Sequence, residues 1–151
     1  GGEPAPDDDA LRFESRFESG NLGSAWRVGR DAYDLALQHD FNTRGHTQWF
    51  YFMISNVRGG REYRLSISNL YKPDSLYNYG MLPLVLSHTR ATKGDGVGWH
   101  RAGERVVYYA NGRREAEGPR RRRLYTLAFT LAGLPDADRV LVAHCFPYTL
   151  S

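Results

Sequence analysis

The chain has 151 residues, of which 41% are hydrophobic, 13% aromatic and 25% charged, a composition typical of one soluble globular domain with a sizeable core. It contains no run of about 20 apolar residues, and it starts without basic or apolar signal-peptide regions, so we expect neither a membrane-spanning helix nor a signal sequence. The single cysteine, Cys145, excludes an internal disulfide and zinc sites built on paired cysteines, and it favours a reducing compartment.

The net charge of +3 conceals an asymmetry along the chain. Four acidic residues lie within the first ten, which leaves 13 acidic against 20 basic residues elsewhere, 18 of them arginine. An acidic partner is therefore plausible, because the planar guanidinium binds carboxylates and phosphates alike. We expect residues 1–10 to be a disordered lead-in or a cloning remnant, and residues 11–151 to be one domain. The first residue is not Met, and we expect the chain to be part of a longer protein.

Alternation of apolar and polar side chains predicts strands along most of the chain. It begins with Leu11, Phe13, Ser15 and Phe17, and it returns at residues 33–37 and 63–67. Further strands are predicted near residues 105–110, 123–131 and 139–146. Since hardly any segment has helical spacing, the pattern predicts an all-β fold, an antiparallel β-sandwich of about eight or nine strands.

Turn signals separate several of these strands. Gly59-Gly60 lies between the runs 47–57 and 62–70, and Asn111-Gly112 follows the run 105–110, so both dipeptides predict short hairpins. Leu134-Pro135-Asp136 predicts a turn between the last two strands.

One predicted strand, residues 48–54, is apolar on both faces. The outer face of a lone two-sheet sandwich is normally exposed to solvent. This strand therefore predicts a face that docks on another domain or chain, and its residues are Trp49, Tyr51 and Met53. The alternative is a central strand covered by a crossing loop or a short helix.

The histidines and the cysteine offer no local catalytic or metal-binding motif. None of the histidines has the HxxE or HExxH spacing of a zinc ligand, so we expect surface or hydrogen-bonded side chains. His144 and Cys145 point to opposite faces of one strand and cannot form a dyad; Cys145 is expected to be a small, buried core residue. The histidines are His39, His46, His88, His100 and His144.

The densest charge lies at residues 112–123, which carry six arginines against Glu115 and Glu117. This segment predicts a site for an acidic peptide or a phosphate backbone, and the alternative is a solvated, mobile hairpin insertion. A nucleic-acid-binding module also needs exposed aromatic residues, whereas most of the 20 aromatic residues alternate toward the predicted core. The arginines are Arg113, Arg114, Arg120, Arg121, Arg122 and Arg123.

Four ordered motifs give the chain, from Leu11 to Ser151, a resemblance to a known family. It resembles the N-terminal domain of the cytosolic carboxypeptidases, zinc metallopeptidases that shorten glutamate chains on tubulin. The motifs are residues 13–22 (FESRFESGNL), residues 46–52 (HTQWFYF), the segment Tyr77, Asn78, Tyr79, Gly80, Met81, Leu82, Pro83, and residues 144–149 (HCFPYT), which include Pro147 and Tyr148.

This resemblance implies an accessory β-sandwich that packs against a separate carboxypeptidase domain and helps it to fold. The zinc ligands, the catalytic glutamate and the arginine that binds the substrate carboxylate have no counterpart in this sequence. The resemblance therefore implies that the chain has no catalytic residue, metal ligand or cofactor of its own. It also implies that zinc is bound by the parent's catalytic domain and that the protein is cytosolic, with an association with microtubules. Glutamylated tubulin tails are the partners that it implies, and it implies no membrane partner. A free-standing basic β module that binds nucleic acid or protein stays as the alternative.

Overall fold

The structure, a computed structural model, describes residues 9–38, 49–93, 97–115 and 121–145. Within these residues the chain forms ten strands, one short α-helix and a 3₁₀ turn (Leu76–Tyr79), so the all-β prediction is confirmed. No helix in the described ranges is long and apolar enough to cross a membrane. The strands and the helix are β1 (Arg12–Glu14), β2 (Leu22–Gly29), β3 (Ala32–Leu37), β4 (Tyr51–Ser55), β5 (Tyr63–Leu70), β6 (Leu84–Ser87), α1 (His88–Thr92), β7 (His100–Arg101), β8 (Glu104–Arg114), β9 (Arg123–Leu131) and β10 (Val140–Ala143).

The strands form two five-stranded sheets. The first sheet has the order β1-β4-β10-β6-β7, and the second has the order β2-β3-β5-β9-β8. Neighbouring strands are antiparallel except β3 and β5, which are parallel because the chain crosses to the first sheet between them, forms β4 and returns. The predicted sandwich is confirmed, with ten strands in the described residues rather than eight or nine.

The core lies between the inner faces of the two sheets. Phe52 and Ile54 of β4 are fully buried, and so are Leu65 of β5 and Leu127 and Phe129 of β9. Strands β3 and β5 contribute alternate residues to this layer, as the two-residue period of a strand requires. The alternation in the sequence therefore identified the inward residues of β3 and β5 correctly.

The predicted hairpin at Gly59-Gly60 is wrong. Strand β4 belongs to the first sheet and β5 to the second, so the chain passes from one sheet to the other at these glycines. Gly60 has φ +83°, a conformation that glycine adopts without strain. The Gly59 N–H donates a hydrogen bond to the Asp136 carboxylate at 2.9 Å. A turn signal locates a change of direction, but it does not specify the sheet that the chain enters.

The predicted turn at Asn111-Gly112 is also wrong, because both residues lie inside β8. The pairing with β9 shifts register between Ala110 and Arg114, and Gly112 has φ +79°. The Asn111 amide donates hydrogen bonds to the Ser68 carbonyl at 2.8 Å and to the Thr126 hydroxyl at 2.9 Å. The dipeptide therefore forms a β-bulge, and the chain reverses only after Arg114.

The predicted lead-in, residues 1–10, has two described residues, Asp9 and Ala10, and both contact the sandwich. The Asp9 carboxylate accepts hydrogen bonds from Arg27 at 2.8 Å and from Arg61 at 3.0 Å, and these bonds hold its pKa well below the usual range. The Asn56 amide donates to the Ala10 carbonyl at 2.7 Å. Residues 1–8 lie outside the described residues.

Replacement of a core aromatic residue tests the layer that joins the two sheets. Phe129→Ala removes a fully buried ring, so we expect the free energy of unfolding to fall by about 3–5 kcal/mol. Val28→Ala, at a side chain that is 55% exposed, should change it by less than about 0.5 kcal/mol. Urea denaturation followed by circular dichroism measures both values. Equal losses in the two variants would contradict this assignment of the core.

Candidate functional site

The outer face of the first sheet carries an aromatic cluster around Tyr51. The ring of Tyr51 lies 4.8 Å from Phe17, 6.0 Å from Trp49 and 6.1 Å from Trp99, measured between ring centroids. Phe17 comes from the segment after β1, which ends at Glu14 and not at residue 17 as the alternation predicts. Because these rings leave Tyr51 only 7% exposed, the chain itself covers this end of the face.

A row of apolar side chains continues across the same face. Met53 of β4 is paired with Leu141 of β10, and Leu141 is paired with Leu86 of β6. All three are half-buried, and they alternate with the core-facing residues of their strands. The residues predicted to form a docking face, Trp49, Tyr51 and Met53, thus share one face. At Met53 the face stays partly open, whereas at Tyr51 the chain's own loops cover it.

The family motif at residues 77–83 forms a tight turn that leads into β6. The Ser75 hydroxyl accepts a hydrogen bond from the Tyr77 N–H at 3.2 Å, and the Asn78 N–H donates to the Ser75 carbonyl at 2.9 Å. Gly80 closes the turn in the left-handed region at φ +96°, so that the Met81 N–H reaches the Leu76 carbonyl at 3.1 Å. The glycine of the motif is therefore required by the backbone conformation.

The two tyrosines of this motif have opposite environments. Tyr77 points into the core, while Tyr79 is exposed, and its hydroxyl donates to the Asp74 carboxylate at 3.2 Å. Pro83, the last residue of the motif, accepts a hydrogen bond at its carbonyl from the Ala102 N–H at 2.9 Å. This bond connects the turn to the start of β8.

Tyr77 and His144 form a buried polar pair at the end of β10. The Tyr77 hydroxyl lies 2.9 Å from His144 Nδ1, and the His144 ring lies 5.7 Å from Phe50 between centroids. Burial is the main cause that lowers the pKa of His144 to about 4, and the positive charges of Arg101 and Lys72 add to it. Burial also raises the pKa of Tyr77. Both groups are therefore neutral at neutral pH, and they join the 77–83 turn to β10.

Arg101 completes this arrangement through backbone contacts. Its guanidinium donates to the Leu82 carbonyl at 2.7 Å and to the His144 carbonyl at 2.9 Å. Cys145, which the sequence predicts to be a buried core residue, is only half-buried, because it lies beyond the last residue of β10. Pro147 and Tyr148, predicted as motif residues, lie outside the described residues.

The described residues of the basic segment lie at the end of β8 and the start of β9, and their arginines are not equivalent. Arg122 is engaged with the chain: its Nε lies 2.8 Å from the Glu115 carboxylate, and its guanidinium lies 4.2 Å from the centroid of the Tyr71 ring. Glu115 raises the pKa of Arg122. Arg121 donates to the Glu115 carbonyl at 3.2 Å, and Arg114 donates to the Arg121 carbonyl at 3.2 Å. Arg122 therefore has a structural role.

Three other arginines surround a shallow cavity of about 250 Å³ at the base of this hairpin. Arg114 and Arg123 are directly paired across the two strands, and Arg113 lies beside them. Like charges in direct cross-strand pairs destabilise a sheet unless an anion or solvent screens them. In the described part of the chain, none of these three guanidiniums has a carboxylate partner. Arg120 lies outside the described residues.

The sequence predicts that no histidine is a metal ligand. Among the residues that the structure describes, no three His, Cys, Asp or Glu side chains group in an arrangement that could hold a metal ion. His100 has its Nδ1 3.0 Å from the Gly98 carbonyl. His39 and His46 lie outside the described ranges.

The depressed pKa of His144 predicts a dependence of stability on pH. The unfolded chain protonates this histidine near pH 6.5, whereas the folded chain resists protonation until about pH 4. The unfolded state therefore binds more protons in this window, and stability falls as the pH falls from 6.5 to 4, by roughly 1–3 kcal/mol from this group. The variant His144→Gln has no titrating group here.

Urea denaturation at pH 7.5 and at pH 5.0 measures this effect. We expect the wild-type chain to lose more stability than His144→Gln between the two pH values. Tyr77→Phe should lose as much stability as the wild-type chain, because burial and not the Tyr77 hydroxyl is the main cause of the lowered pKa of His144. An identical pH dependence in wild type and His144→Gln would contradict a buried neutral histidine.

Comparison with protein families gives one match that covers most of the chain. The family model of the cytosolic carboxypeptidase N-terminal domain matches residues 13–129. Cytosolic carboxypeptidase 2 of Xenopus tropicalis is 48% identical over 141 residues, which are 93% of this chain and 14% of that protein. Cytosolic carboxypeptidase 2 of Mus musculus is 47% identical over 144 residues, which are 95% of this chain and 16% of that protein. The matched residues therefore span only 14–16% of the length of these relatives.

Solved structures share the fold at lower identity. A chain from Shewanella denitrificans superposes with a TM-score of 0.58 at 20% identity, over 91% of this chain and 30% of that one. A metallo-carboxypeptidase from Pseudomonas aeruginosa superposes with a TM-score of 0.54 at 22% identity, over 92% of this chain and 30% of that one. The family resemblance of the sequence is thus confirmed, and the chain belongs to the cytosolic carboxypeptidase N-terminal domain family.

Proposed function

We propose that this chain is the non-catalytic accessory domain of a cytosolic zinc metallocarboxypeptidase that removes glutamates from tubulin and other proteins. Its role in that protein is to support the folding of the carboxypeptidase domain and to dock on it. The observation that carries this proposal is the apolar outer face of the first sheet, where Met53, Leu141 and Leu86 form a half-buried row. An apolar outer face needs a cover, and a following domain of the same protein provides one.

The aromatic cluster contributes rigidity to this face. Trp49 is half-buried, and its indole N–H donates to the Ser19 carbonyl at 2.9 Å, which fixes the ring beside Tyr51. A fixed aromatic edge next to an aliphatic row loses little conformational entropy on docking. The face is thus suited to a permanent contact within one protein.

The peptidase chemistry belongs, in this proposal, to the parent's catalytic domain. A zinc ion bound there would activate water and polarise the scissile carbonyl. The described residues supply no cluster that fits such an ion, so the chain would act on the reaction only through docking and substrate binding. The proposal places the protein in the cytosol, in agreement with the names of the relatives, and on microtubules when it acts on tubulin.

We also propose that the hairpin base binds acidic substrate tails, such as glutamylated tubulin tails. Arg113, Arg114 and Arg123 line one cavity, and carboxylates would relieve the repulsion between the cross-strand pair. A nucleic-acid site is less suitable here, because the rings of Tyr71 and Tyr125 are already in contact with other groups, which leaves Tyr109, at 49% exposure, to stack on a base. Arg122 covers Tyr71, and Tyr125 stacks on Tyr108 with centroids 5.8 Å apart.

Charge substitution on the outer face tests docking. In Met53→Asp a carboxylate replaces a half-buried side chain of the first sheet, so binding to the carboxypeptidase domain should fall at least tenfold, because the charge would be desolvated. Val28→Asp is the matched control on the exposed part of the second sheet. Each variant is co-expressed with the remaining part of mouse cytosolic carboxypeptidase 2, and co-purification and soluble peptidase yield are measured.

Circular dichroism confirms that each docking variant is folded, and Met53→Gln provides a milder substitution without charge. Equal co-purification of Met53→Asp and Val28→Asp would contradict docking through this face.

Removal of charge from the hairpin base tests tail binding. The double variant Arg113→Gln, Arg114→Gln should weaken binding of a fluorescein-labelled ten-residue polyglutamate peptide about three- to tenfold, since exposed ion pairs are each worth about 0.2–1 kcal/mol. Arg12→Gln, Arg30→Gln removes the same charge elsewhere and should have less effect. Fluorescence anisotropy at low and moderate salt measures both affinities.

Equal effects of the two double variants would contradict a specific site at the hairpin. Tighter binding of a single-stranded oligonucleotide than of the peptide would favour the nucleic-acid-binding alternative.

A further inference from the structure

Strand β8 is the longest strand of the sandwich in the described residues, and it lies at the edge of the second sheet. It has 11 residues and pairs with β9 alone. The edge strands of the first sheet, β1 and β7, have three and two residues. In an antiparallel pair, alternate residues direct both their N–H and C=O groups away from the partner strand. The free side of β8 therefore presents a row of backbone donors and acceptors.

The middle of β8 is a regular strand between two irregularities. Val107 to Ala110 pair in unbroken register with Ala128 to Tyr125 of β9, while the register shifts on either side. Within this segment Tyr108 points into the core, and its hydroxyl contacts the Lys72 carbonyl. Val107 and Tyr109, which are 43% and 49% exposed, point to the opposite face. An added strand would find two neighbouring apolar side chains on that face.

Charge at the two ends of this segment limits what can pair with it. Glu104 and Arg105 lie before it, and the Arg105 guanidinium forms an ion pair with Glu62 at 3.3 Å. Arg113 and Arg114 follow it, and neither has a carboxylate partner among the described residues. A second copy of the chain, paired antiparallel about Tyr109, would place Arg105 against Arg113 but also Glu104 against Arg114 at both ends, so these charges do not select for or against it. An extended segment with carboxylates beside Arg113 and Arg114 would meet only opposite charge there. The arginines that follow the regular segment therefore favour an acidic strand.

We propose that β8 binds an acidic peptide by strand addition, so that the peptide becomes the sixth strand of the second sheet. Backbone hydrogen bonds along residues 107–110 hold the peptide, carboxylates contact Arg113 and Arg114, and apolar peptide side chains pack on Val107 and Tyr109. This inference rests on the proposed binding of acidic tails at the hairpin base, and it adds the extended conformation of such a tail and the strand beside which it lies.

Backbone methylation of a peptide separates strand addition from charge attraction. The probe is a fluorescein-labelled ten-residue peptide of eight glutamates and two valines, the valines spaced by one residue so that they share a face. Two further probes carry N-methyl groups on alternate residues, the first on the odd-numbered and the second on the even-numbered residues of the peptide, so that each blocks one edge. All three have the same charge. Fluorescence anisotropy with the 151-residue chain gives their affinities.

We expect one methylated probe to bind at least tenfold more weakly than the free peptide, and the other to bind within about twofold, because only one edge of the peptide faces β8. Tyr109→Thr should weaken binding about threefold, and Val28→Thr, the control on the opposite edge strand, should not change it. Equal binding of all three probes would overturn strand addition while leaving the proposed acidic-tail site intact.

Two other outcomes also decide the inference. If no glutamate probe binds, both strand addition and the acidic-tail site are wrong. If the free chain sediments as a dimer in analytical ultracentrifugation, and Val107→Lys converts it to a monomer, the edge is occupied by a second copy and the proposal is overturned.

Discussion

Strand β4 lies between two apolar layers, and the arrangement of the sandwich follows from its burial on both faces. Phe52 and Ile54 pack toward the second sheet, while Tyr51 and Met53 point to the outer face of the first. Its neighbour β10 matches both faces, with Val142 on the inside and Leu141 on the outside, whereas β1 places Phe13 on the inside and pairs Glu14 with Met53 on the outside. A strand with apolar residues on both faces is ordinary in the middle of a protein but unusual at a surface. In the proposed arrangement, the carboxypeptidase domain covers this outer face.

The Tyr77–His144 pair fixes the end of that layer. Two polar groups buried together cost free energy unless they satisfy each other, and their 2.9 Å contact does so without a charge. Arg101 holds the carbonyls of Leu82 and His144 from outside, so its charge stays near solvent while its contacts organise the backbone. The 77–83 turn is thereby attached to the end of β10. This attachment gives a structural reason for a tyrosine, a glycine and a histidine in two distant motifs.

The alternation of side chains predicted the strands well because burial on one face of a strand is a local property. It identified the inward residues of β3 and β5, and it predicted a strand near residues 123–131, where β9 lies. It failed at Gly59-Gly60 and Asn111-Gly112, because a local turn signal contains no information about the sheet that the chain joins next. For the same reason the sequence does not predict the contact between Tyr77 and His144, which are 67 residues apart in sequence.

The arginines show this limit most clearly. Six arginines in one segment look equivalent in the sequence, yet Arg122 is held by Glu115 and Tyr71, while Arg114 and Arg123 are paired with each other across the strands. What distinguishes them is the register of β8 and β9, which the bulge at Asn111-Gly112 shifts. Without that bulge, a two-residue turn would end β8 near residue 110 and leave Arg113 and Arg114 at the start of the next strand.

The two sheets therefore present surfaces of different chemistry. The first sheet has an apolar outer face that loses contact with water when a large, permanent partner covers it. The second sheet has a long edge with arginines at both ends of β8, where contacts are weaker, sensitive to salt and reversible. In the proposed arrangement, the domain stays docked on the carboxypeptidase domain through the first sheet while successive substrates bind and leave at the second. Because the two surfaces lie on different sheets, such docking would keep the charged edge open to a substrate.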